Sequence, residues 1–346
     1  HAACRQIAPR EMDLIMACGE IISSVVMAGT LQAAGLDAVA LTGGQAGIIT
    51  DNNFNNARIL KIDTANLNQL LQAGKIPVVC GFQGVTATGE ITTLGRGGSD
   101  TTAAAIGAAL LADMVEIYTD VDGIMTADSR IVSDAKILDV ISYAEVCQLA
   151  HQGAKVIHPR AVEIAMQKGI PLVVKSTFSD APGTLITNIV KDGEGTAVAD
   201  RIATGVTYLL NIAQIKITLN SDQVSQASKQ IFKTMADNGI SVDLINVHPG
   251  QIMFTVNEDV SEMAAERLRA IGYNVDIVHN CAKVSVVGGG MREVPGVMAS
   301  FVDALAQNNI DILQTVDSHT SISVLVKQSD AATAVKALHA KFGLSD

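Results

Sequence analysis

The segment best suited to chemistry spans residues 93–102, which read TLGRGGSDTT and directly precede an alanine-rich stretch with a helical pattern. Glycines permit left-handed backbone conformations and close backbone approach, and Ser99 or Asp100 can cap the start of the helix. Free N–H groups at a helix N-terminus attract anions. The segment is therefore a candidate anion-binding loop, although a simple capped turn would give the same pattern. The sequence has no GxxxxGK[ST] motif, so a P-loop nucleotide site is not expected.

Further along the chain, acidic and basic side chains occur that nucleotide binding can use. Asp120 and Asp122 follow Thr119 in the sequence TDVDG, and carboxylates of this kind can hold Mg²⁺ or a ribose hydroxyl. Arg130 and Lys155 can neutralise phosphate charge. Each residue alone is weak support for a site, because a solvated turn explains the acidic residues and a surface charge explains the basic ones.

These residues belong to a stretch in which short apolar runs alternate with helical patterns. Strands are predicted at residues 38–41, 76–80, 115–119 and 171–174, and helices at 67–73, 101–111, 143–152 and 160–168. His158, followed by Pro159, is expected to begin the last of these helices. The alternation indicates an α/β domain with a mainly parallel sheet. Glycines cluster just after the predicted strands, where ligands bind in such sheets.

The amino-terminal region has a helical pattern at about residues 11–35, almost at the first residue, which is an unusual start for a domain. We therefore expect that further residues precede His1 in the natural protein. The apolar stretch at residues 21–36 is interrupted by Gly and Ser before it reaches the ~20 residues of a membrane span, and no signal peptide is visible. The sequence therefore predicts a cytoplasmic protein without a membrane segment.

Composition limits the class of partner. The chain has 346 residues, of which 48% are hydrophobic and 17% charged, so it can bury more than one core, and its length predicts about two or three domains. A net charge of −11 without a basic run argues against nucleic acid, because phosphate backbones are bound by clustered Lys and Arg. The five cysteines include no CxxC pair, which indicates reduced thiols and neither a zinc site nor a disulfide framework. A small-molecule partner is expected.

The carboxyl-terminal part contains an internal repeat. A shift of 70 places aligns Ile231 with Phe301 and Phe254 with Val324, among other apolar pairs. Each copy reads as strand, helix, strand, strand, helix and strand, the arrangement of a ferredoxin-like α+β unit. The predicted division is a catalytic domain at residues 1–190, a linker at 191–204, and two further domains at 205–280 and 281–346.

The order of the motifs carries a family resemblance. The chain contains GE at 19–20, LTGGQAGI at 41–48, NARI at 56–59, GFQG at 81–84, the glycine loop at 95–100, TDVDG at 119–123 and GAKVIHP at 153–159. These segments resemble the catalytic domain of the aspartokinase family in the amino-acid-kinase superfamily. The repeat, with VGGGM at 287–291 and VPGV at 294–297, resembles the paired ACT domains of that family. The resemblance spans essentially the whole chain and implies an α/β amino-acid-kinase fold followed by two ferredoxin-like ACT domains.

The resemblance implies an activity and a substrate site. The γ-phosphoryl group of ATP, with Mg²⁺, would pass to the side-chain carboxylate of L-aspartate, giving 4-phospho-L-aspartate, the first step of lysine, threonine and methionine biosynthesis. Arg96 would bind the α-carboxylate of aspartate and Glu20 its ammonium group, in agreement with the bidentate geometry of guanidinium and carboxylate. The implied substrate-binding and catalytic residues are Glu20, Phe82, Arg96, Gly97, Ser99 and Asp100.

The resemblance also implies nucleotide and effector sites. The nucleotide would contact Thr119, Asp120, Arg130 and Lys155. An end-product amino acid, lysine first and threonine second, would bind at an interface between ACT units of a homodimer or larger homo-oligomer. The expected effector-binding residues are Asp243, Ile245, Met291, Pro295, Gly296, Asp311 and Ile312. Two alternatives stay open here: Asp243 and Asp311 as solvated turn residues, and ACT units that only dimerise. The family further implies that the strand near residues 206–210 completes the second ACT unit.

One departure from the family pattern bears on catalysis. Aspartokinases begin with a strand carrying Lys-Phe-Gly-Gly, whose lysine contacts the transferring phosphate, and no such motif precedes His1. Residues 1–346 alone are therefore expected to be poorly active. The alternative function is a non-catalytic, amino-acid-sensing regulatory or truncated subunit. A glutamate or uridylate kinase of the same superfamily would not be expected to combine the Arg96 loop with a duplicated ACT tail.

Overall fold

The computed structural model describes residues 7–154, 156–188, 202–219, 224–291 and 294–345. The chain forms two compact units. The first unit comprises residues 1–124, 138–150 and 155–194, and the second comprises residues 125–137, 151–154 and 195–346. Two short segments of the predicted catalytic domain, residues 125–137 and 151–154, thus belong to the second unit. The prediction of domains that are continuous in sequence does not include these two segments in the tail. The linker predicted at residues 191–204 lies mostly outside the described residues, and the four-part division stays a prediction.

Residues 7–188 alternate helices with short strands. The helices are α1 (Pro9–Ala33), α2 (Ala65–Gln72), α3 (Gly98–Leu110), α4 (Tyr143–His151) and α5 (Pro159–Lys168). The strands are β1 (Ala38–Leu41), β2 (Ile48–Thr50), β3 (Ile59–Ile62), β4 (Ile76–Val79), β5 (Gln83–Thr86), β6 (Ile91–Thr93), β7 (Val115–Thr119), β8 (Val140–Ile141), β9 (Leu172–Ser176) and β10 (Thr184–Ile186). Every predicted helix and strand of this part is present, with ends that differ by a few residues. The apolar pattern does not predict β2, β3, β5, β6, β8 or β10, which have only two to four residues each.

The sheets of the first unit are mixed. Strands β1 and β4 form a parallel pair. A second sheet has the order β3-β2-β5-β6, with a parallel β2–β5 pair at its centre. A third has the order β7-β9-β10-β8, in which β7–β9 and β10–β8 are parallel. The α/β class is confirmed, while antiparallel neighbours arise because β2–β3, β5–β6 and β9–β10 are joined by connections too short for a parallel crossover.

Helix α1 packs through small and polar side chains. Its buried residues are Asp13, Ala17, Ser24 and Ala28, which follow helical spacing. Most of its larger apolar side chains are exposed. By length and composition the helix could cross a membrane, since an 18-residue window has a mean hydropathy of 1.8 and only 17% of that window is buried. The predicted absence of a membrane segment therefore stays a prediction.

The tail of the chain forms one antiparallel sheet with helices packed on it. The helices are α6 (Val224–Asp237), α7 (Ser261–Ala270), α8 (Val297–Ala306) and α9 (Ala331–Lys341). The strands are β11 (Gly205–Thr218), β12 (Asp243–His248), β13 (Gln251–Asn257), β14 (Val275–Val287), β15 (Gln314–Asp317) and β16 (Ser321–Lys327). The order β12-β13-β11-β14-β16-β15 places the two sequence repeats on either side of the central pair β11–β14. The predicted duplication of a strand and helix unit is therefore seen in the fold.

The long strands β11 and β14 each serve both repeats. Residues 205–209 of β11 pair with β14, and Val206 lies in the same core as Phe301 of the second repeat. Further along β11, Ile215 lies in the core of the first repeat. The strand that completes the second repeat is thus the start of β11, as the family resemblance implies. The periodic pattern places that strand after α9 instead, and no strand follows α9 within the described residues.

An irregularity marks the point where each long strand passes from one repeat to the other. The register of β11 with β14 shifts around Ile212. Asn211 has a φ of 59° and Asn280 a φ of 53°, and asparagine is among the few non-glycine residues that tolerate this left-handed region. Asn211 immediately precedes Ile212, where pairing with β13 begins, and Asn280 immediately precedes Cys281, where pairing with β16 begins.

Residues 125–137 belong to the second unit because their side chains pack into its core. Ala127 and Val132 are buried in the cluster that contains Phe301. The Thr126 hydroxyl lies 2.9 Å from Nε2 of His339, and the Thr126 carbonyl accepts a hydrogen bond of 2.7 Å from the N–H of Val206. Burial lowers the pKa of His339 below its ordinary value, which favours the neutral ring.

The contribution of the second repeat's apolar core to stability can be tested at Phe301. Phe301 is fully buried, so Phe301→Ala should lower the free energy of unfolding of the second unit by ~3–5 kcal/mol, through lost apolar burial and a residual cavity. The neighbouring Val302 is 39% exposed, and Val302→Ala should cost less than ~1 kcal/mol. Urea unfolding of both variants measures the difference, and equal losses would contradict the assignment of Phe301 to the core.

Candidate active site

A cavity of about 660 Å³ opens at the amino-terminal end of helix α3. It is lined by Met16, Glu20, Asn55, Phe82, Thr93, Gly95, Arg96, Gly97, Gly98 and Ser99. Every residue that the sequence assigns to substrate binding is among them. The expected residues thus come together, although Glu20 and Arg96 are far apart in the chain.

Two opposite charges face this cavity without neutralising each other. Glu20 is half-buried on α1, and Arg96 is exposed in the loop before α3. Neither side chain forms a salt bridge with the other or with any residue that the structure describes. A free carboxylate and a free guanidinium in one cavity can bind the ammonium and carboxylate groups of an amino acid.

The loop that carries Arg96 runs where only glycine fits. Gly97 has a φ of 65°, and a Cβ there would lie 2.2 Å from Cβ of His158. At Gly98 a Cβ would lie 2.6 Å from Cδ2 of Phe82, which itself has a φ of 68°. Contacts below about 3 Å are not tolerated by real side chains, so these glycines are required by packing and not only by turn geometry.

Asp100 links the starts of two helices. It lies in the first turn of α3 and accepts a hydrogen bond of 3.3 Å from the N–H of His158. His158 caps α5, and its Nδ1 accepts a hydrogen bond from the N–H of Arg160, so the predicted role of His158 at a helix start is confirmed. Burial raises the pKa of Asp100, and the His158 N–H partly offsets this effect. Asp100 therefore holds α3 against α5 beside the glycine loop.

Comparison with known proteins identifies the family. The amino acid kinase family matches residues 2–176, and an ACT domain matches residues 276–340. Aspartokinase 1 of Bacillus subtilis (strain 168) is 48% identical over 339 residues, which cover 98% of this chain and 84% of that protein. The chain belongs to the aspartokinase family. It is therefore an enzyme of the amino-acid-kinase superfamily, and the resemblance inferred from the order of the motifs is confirmed.

Solved aspartokinase structures have the same fold over nearly the whole chain. The E. coli aspartokinase III complex with aspartate and ADP (R-state) is 29% identical, with a TM-score of 0.80, and the match covers 98% of this chain and 77% of that one. The complex of the same enzyme with lysine and aspartate (T-state) is 28% identical, with a TM-score of 0.78, and the match covers 99% and 77%. The amino-acid-kinase fold with an ACT-containing tail is thus confirmed.

The expected nucleotide residues fall in both compact units. Thr119 ends β7, and its hydroxyl donates a hydrogen bond of 3.1 Å to the exposed carboxylate of Asp120. Arg130 belongs to the second unit, where its guanidinium, 85% exposed, binds Asp128 at 2.7 Å. This contact lowers the pKa of Asp128, which also accepts a hydrogen bond from the hydroxyl of Tyr208. Lys155 lies outside the described residues.

The expected effector residues differ in their surroundings. Asp243 begins β12 and already has a partner, because its carboxylate binds Nζ of Lys283, whose side chain is only 4% exposed. Asp311 and Ile245 are exposed, as are Pro295 and Gly296, whereas Met291 is buried in the core and Ile312 packs against it. An ammonium group at Asp243 would therefore share that carboxylate with a buried lysine.

The sequence alone did not point to two of the residues that line the cavity, Met16 and Asn55, whereas Thr93 belongs to the candidate loop at residues 93–102. Met16 precedes Glu20 by one helical turn, so a helical reading of residues 11–35 places both on one face. Asn55 is missed because its loop reaches the cavity only through long-range folding. Asn55 has a φ of 68°, which no pattern of residue types reveals.

The close contact between the glycine loop and His158 can be tested by comparing alanine substitutions at Gly97 and Gly169. Gly97→Ala should add left-handed strain of ~1–2 kcal/mol together with overpacking of ~1–3 kcal/mol against His158. Gly169 has nearly the same φ, 66°, but a Cβ there would meet nothing within 4 Å. Gly169→Ala should therefore show the strain alone. Thermal unfolding of the two variants gives the comparison, and equal shifts in Tm would mean that the loop has room for a Cβ.

Proposed function

We propose that this chain transfers the γ-phosphoryl group of ATP to the side-chain carboxylate of L-aspartate, giving 4-phospho-L-aspartate. One observation carries the proposal: Glu20 and Arg96 line one cavity, and neither has an ionic partner among the described residues. Arg96 binds the α-carboxylate of aspartate through its planar guanidinium, and Glu20 receives the ammonium group. Phe82, Gly97 and Ser99 form the remaining wall of the pocket.

The reaction requires little proton transfer. The side-chain carboxylate of aspartate has a reference pKa of ~3.9, so it is ionised at neutral pH and is itself the attacking group. The obstacle is repulsion between two anions, which cationic side chains, Mg²⁺ and oriented backbone N–H groups offset in phosphoryl transfer. The N–H groups at the start of α3 are suited to this role. Asp100 is proposed to complete this loop by holding α3 in place and not by acting as a base.

For the nucleotide we propose contacts with Thr119, Asp120, Arg130 and Lys155. Among the described residues, no group of three or more His, Cys, Asp or Glu side chains could hold a metal ion. Mg²⁺ commonly keeps several waters and binds through substrate phosphates with one or two carboxylates. The donor set therefore fits Mg²⁺ that arrives with ATP, as part of the substrate.

The alternative of a non-catalytic sensing subunit receives less support from the cavity. A kinase unit kept only as a scaffold has no need to hold Glu20 and Arg96 unpaired. Curated aspartokinases also match nearly the whole chain and not its tail alone. Both observations favour the enzyme.

Substitution of Arg96 tests the proposed function. In the full-length protein, Arg96→Ala should lower kcat/KM for L-aspartate roughly thirty- to several-hundred-fold, since losing a charge-assisted pair costs ~2–4 kcal/mol. Arg10→Ala is the matched control, because Arg10 lies on the surface and pairs with Glu90 at 2.7 Å and Glu11 at 2.8 Å. Such surface pairs contribute about 0–1 kcal/mol, so its kinetics should stay near wild type.

The measurement is a coupled assay of ADP release with varied L-aspartate and saturating MgATP. Arg96→Ala kinetics equal to those of wild type would remove Arg96 from the site and with it the proposed recognition of the α-carboxylate.

For the tail we propose that an end-product amino acid, lysine first and threonine second, binds between ACT units of a homodimer. Support comes from the ACT domain matched at residues 276–340, from the duplicated fold of the tail, and from the E. coli relative solved with lysine and aspartate. Asp243, Ile245, Asp311 and Ile312 would form one wall, and Met291, Pro295 and Gly296 the other. An effector shifts the enzyme only if it binds the two states with different affinity.

Titration of the full-length protein with lysine, threonine and methionine tests this regulation. Lysine should bind with measurable heat and change the KM for aspartate about five- to 150-fold, which corresponds to coupling of ~1–3 kcal/mol. Asp311→Asn should weaken that binding, whereas Asp317→Asn, at an exposed position on β15, should not. If none of the three amino acids gives heat or thermal stabilisation in a folded, dimeric sample, the tail serves dimerisation alone.

A further inference from the structure

Helix α1 holds two cavity-lining segments through one buried carboxylate. Asp13 is fully buried, and both of its oxygens accept the N–H of Asn55 at 3.0 Å. The same carboxylate accepts the N–H of Thr93 at 2.9 Å and the Thr93 hydroxyl at 2.6 Å. Asn55 and Thr93 both line the cavity that contains Glu20 and Arg96. Asp13 itself does not line it.

Arg160 of helix α5 binds the same two segments through hydrogen bonds to their backbone carbonyl groups. The half-buried Arg160 donates one hydrogen bond of 3.2 Å to the Leu94 carbonyl and another of 3.0 Å to the Ala57 carbonyl. The segments are also joined directly, since the N–H of Ala57 donates to the Thr93 carbonyl at 2.9 Å. The Asp13 carboxylate thus accepts hydrogen bonds from backbone N–H groups of both segments. The Arg160 guanidinium donates hydrogen bonds to backbone carbonyl groups of the same two segments.

The position of this pair relative to Arg96 gives it a functional consequence. Thr93 and Leu94 immediately precede Gly95 and Arg96, so any displacement of this backbone moves the guanidinium. A Cβ at Gly95 would lie 3.0 Å from Oδ1 of Asn56, which shows how closely the two segments already pack. Small errors in placement matter, because a shift of about 1 Å in a positioned group can cost ~10²-fold in rate.

We infer that Asp13 and Arg160 are positioning residues for the aspartate pocket, which they shape by fixing residues 55–57 and 93–94 without touching substrate. This inference rests on the proposed function of that cavity. A buried carboxylate is costly unless hydrogen bonds satisfy it. No salt bridge to Asp13 is present within the described residues, so N–H and O–H donors alone balance its charge. An apolar residue at this position would leave those donors without acceptors.

Steady-state kinetics of Asp13→Asn and Arg160→Met test the inference. Each variant should lower kcat/KM for L-aspartate by about 10- to 100-fold and change the KM for ATP by less than about twofold, because the disturbed backbone leads to Arg96. The control is Tyr143→Phe, which also removes a buried hydrogen bond, a 2.6 Å contact from the Tyr143 hydroxyl to the Ile170 carbonyl, but away from the cavity. Tyr143→Phe should lower Tm and leave both KM values unchanged.

A double variant of Asp13 and Thr93 separates a positioning role from general destabilisation. Thr93→Val removes the hydroxyl that donates to Asp13 and should raise the KM for aspartate. In combination with Asp13→Asn, Thr93→Val should add no further loss, since both act through one contact. Independent, additive losses would contradict action through Asp13.

The outcomes distinguish this inference from the proposed function. If Arg96→Ala keeps wild-type aspartate kinetics, the proposed function itself fails. If Arg96→Ala is impaired while Asp13→Asn and Arg160→Met behave like Tyr143→Phe, only the positioning role is overturned. If Asp13→Asn does not fold, Arg160→Met and Thr93→Val still decide, because an unchanged KM for aspartate in both refutes the inference.

Discussion

Glu20 and Arg96 face one cavity with opposite charges, and they can hold a zwitterion only while they do not pair with each other. Side-chain flexibility alone would let two such charges meet, so their backbones must be fixed. Glu20 stands on a long helix, and Arg96 stands between glycines whose path leaves no space for a Cβ beside His158. Helix α1 therefore fixes the backbone of Glu20, while the glycine loop packed against His158 at the start of α5 fixes the backbone of Arg96.

Polar groups in the interior of the first unit bond the backbone of segments next to the pocket. Asp13 is buried among backbone donors, and Arg160 bonds backbone carbonyls. Replacing either group by an apolar residue would leave buried N–H or carbonyl groups unsatisfied, at about 1–3 kcal/mol each. The interior of this unit is therefore constrained by hydrogen-bond satisfaction as much as by apolar packing.

The second unit joins its two repeats through shared strands. Because β11 and β14 each contribute to both repeats, neither repeat can lose its central strand without disturbing the other. Polar side-chain contacts also join the long strands to the edge strands β12 and β15. Lys283 binds Asp243, and Gln214 donates a hydrogen bond of 2.7 Å to Gln314. A ligand that alters one of these contacts acts on the sheet that both repeats share.

The residue pattern was enough to predict all five helices and four of the ten strands within residues 7–188. Strands β1 and β7 are predicted at the observed residues, and the internal repeat indicates the duplicated tail. Strand β11 shows where this reasoning fails, because its first residues complete a repeat that lies later in the chain. Periodicity reports which face of an element is apolar, but it does not report which element covers that face.

For the site, the sequence by itself determined the chemical types and the family: a carboxylate at Glu20, a guanidinium at Arg96 and the glycines around it. Only the tertiary structure decided which charges already have an ionic partner, since Arg130 and Asp243 form ion pairs while Glu20 and Arg96 have none within the described residues. It also revealed Asp13, which the sequence presents as one polar residue in an apolar helix. The reason is physical: the charge and shape of a side chain are local properties, whereas its hydrogen-bond partners come from segments that only folding brings together.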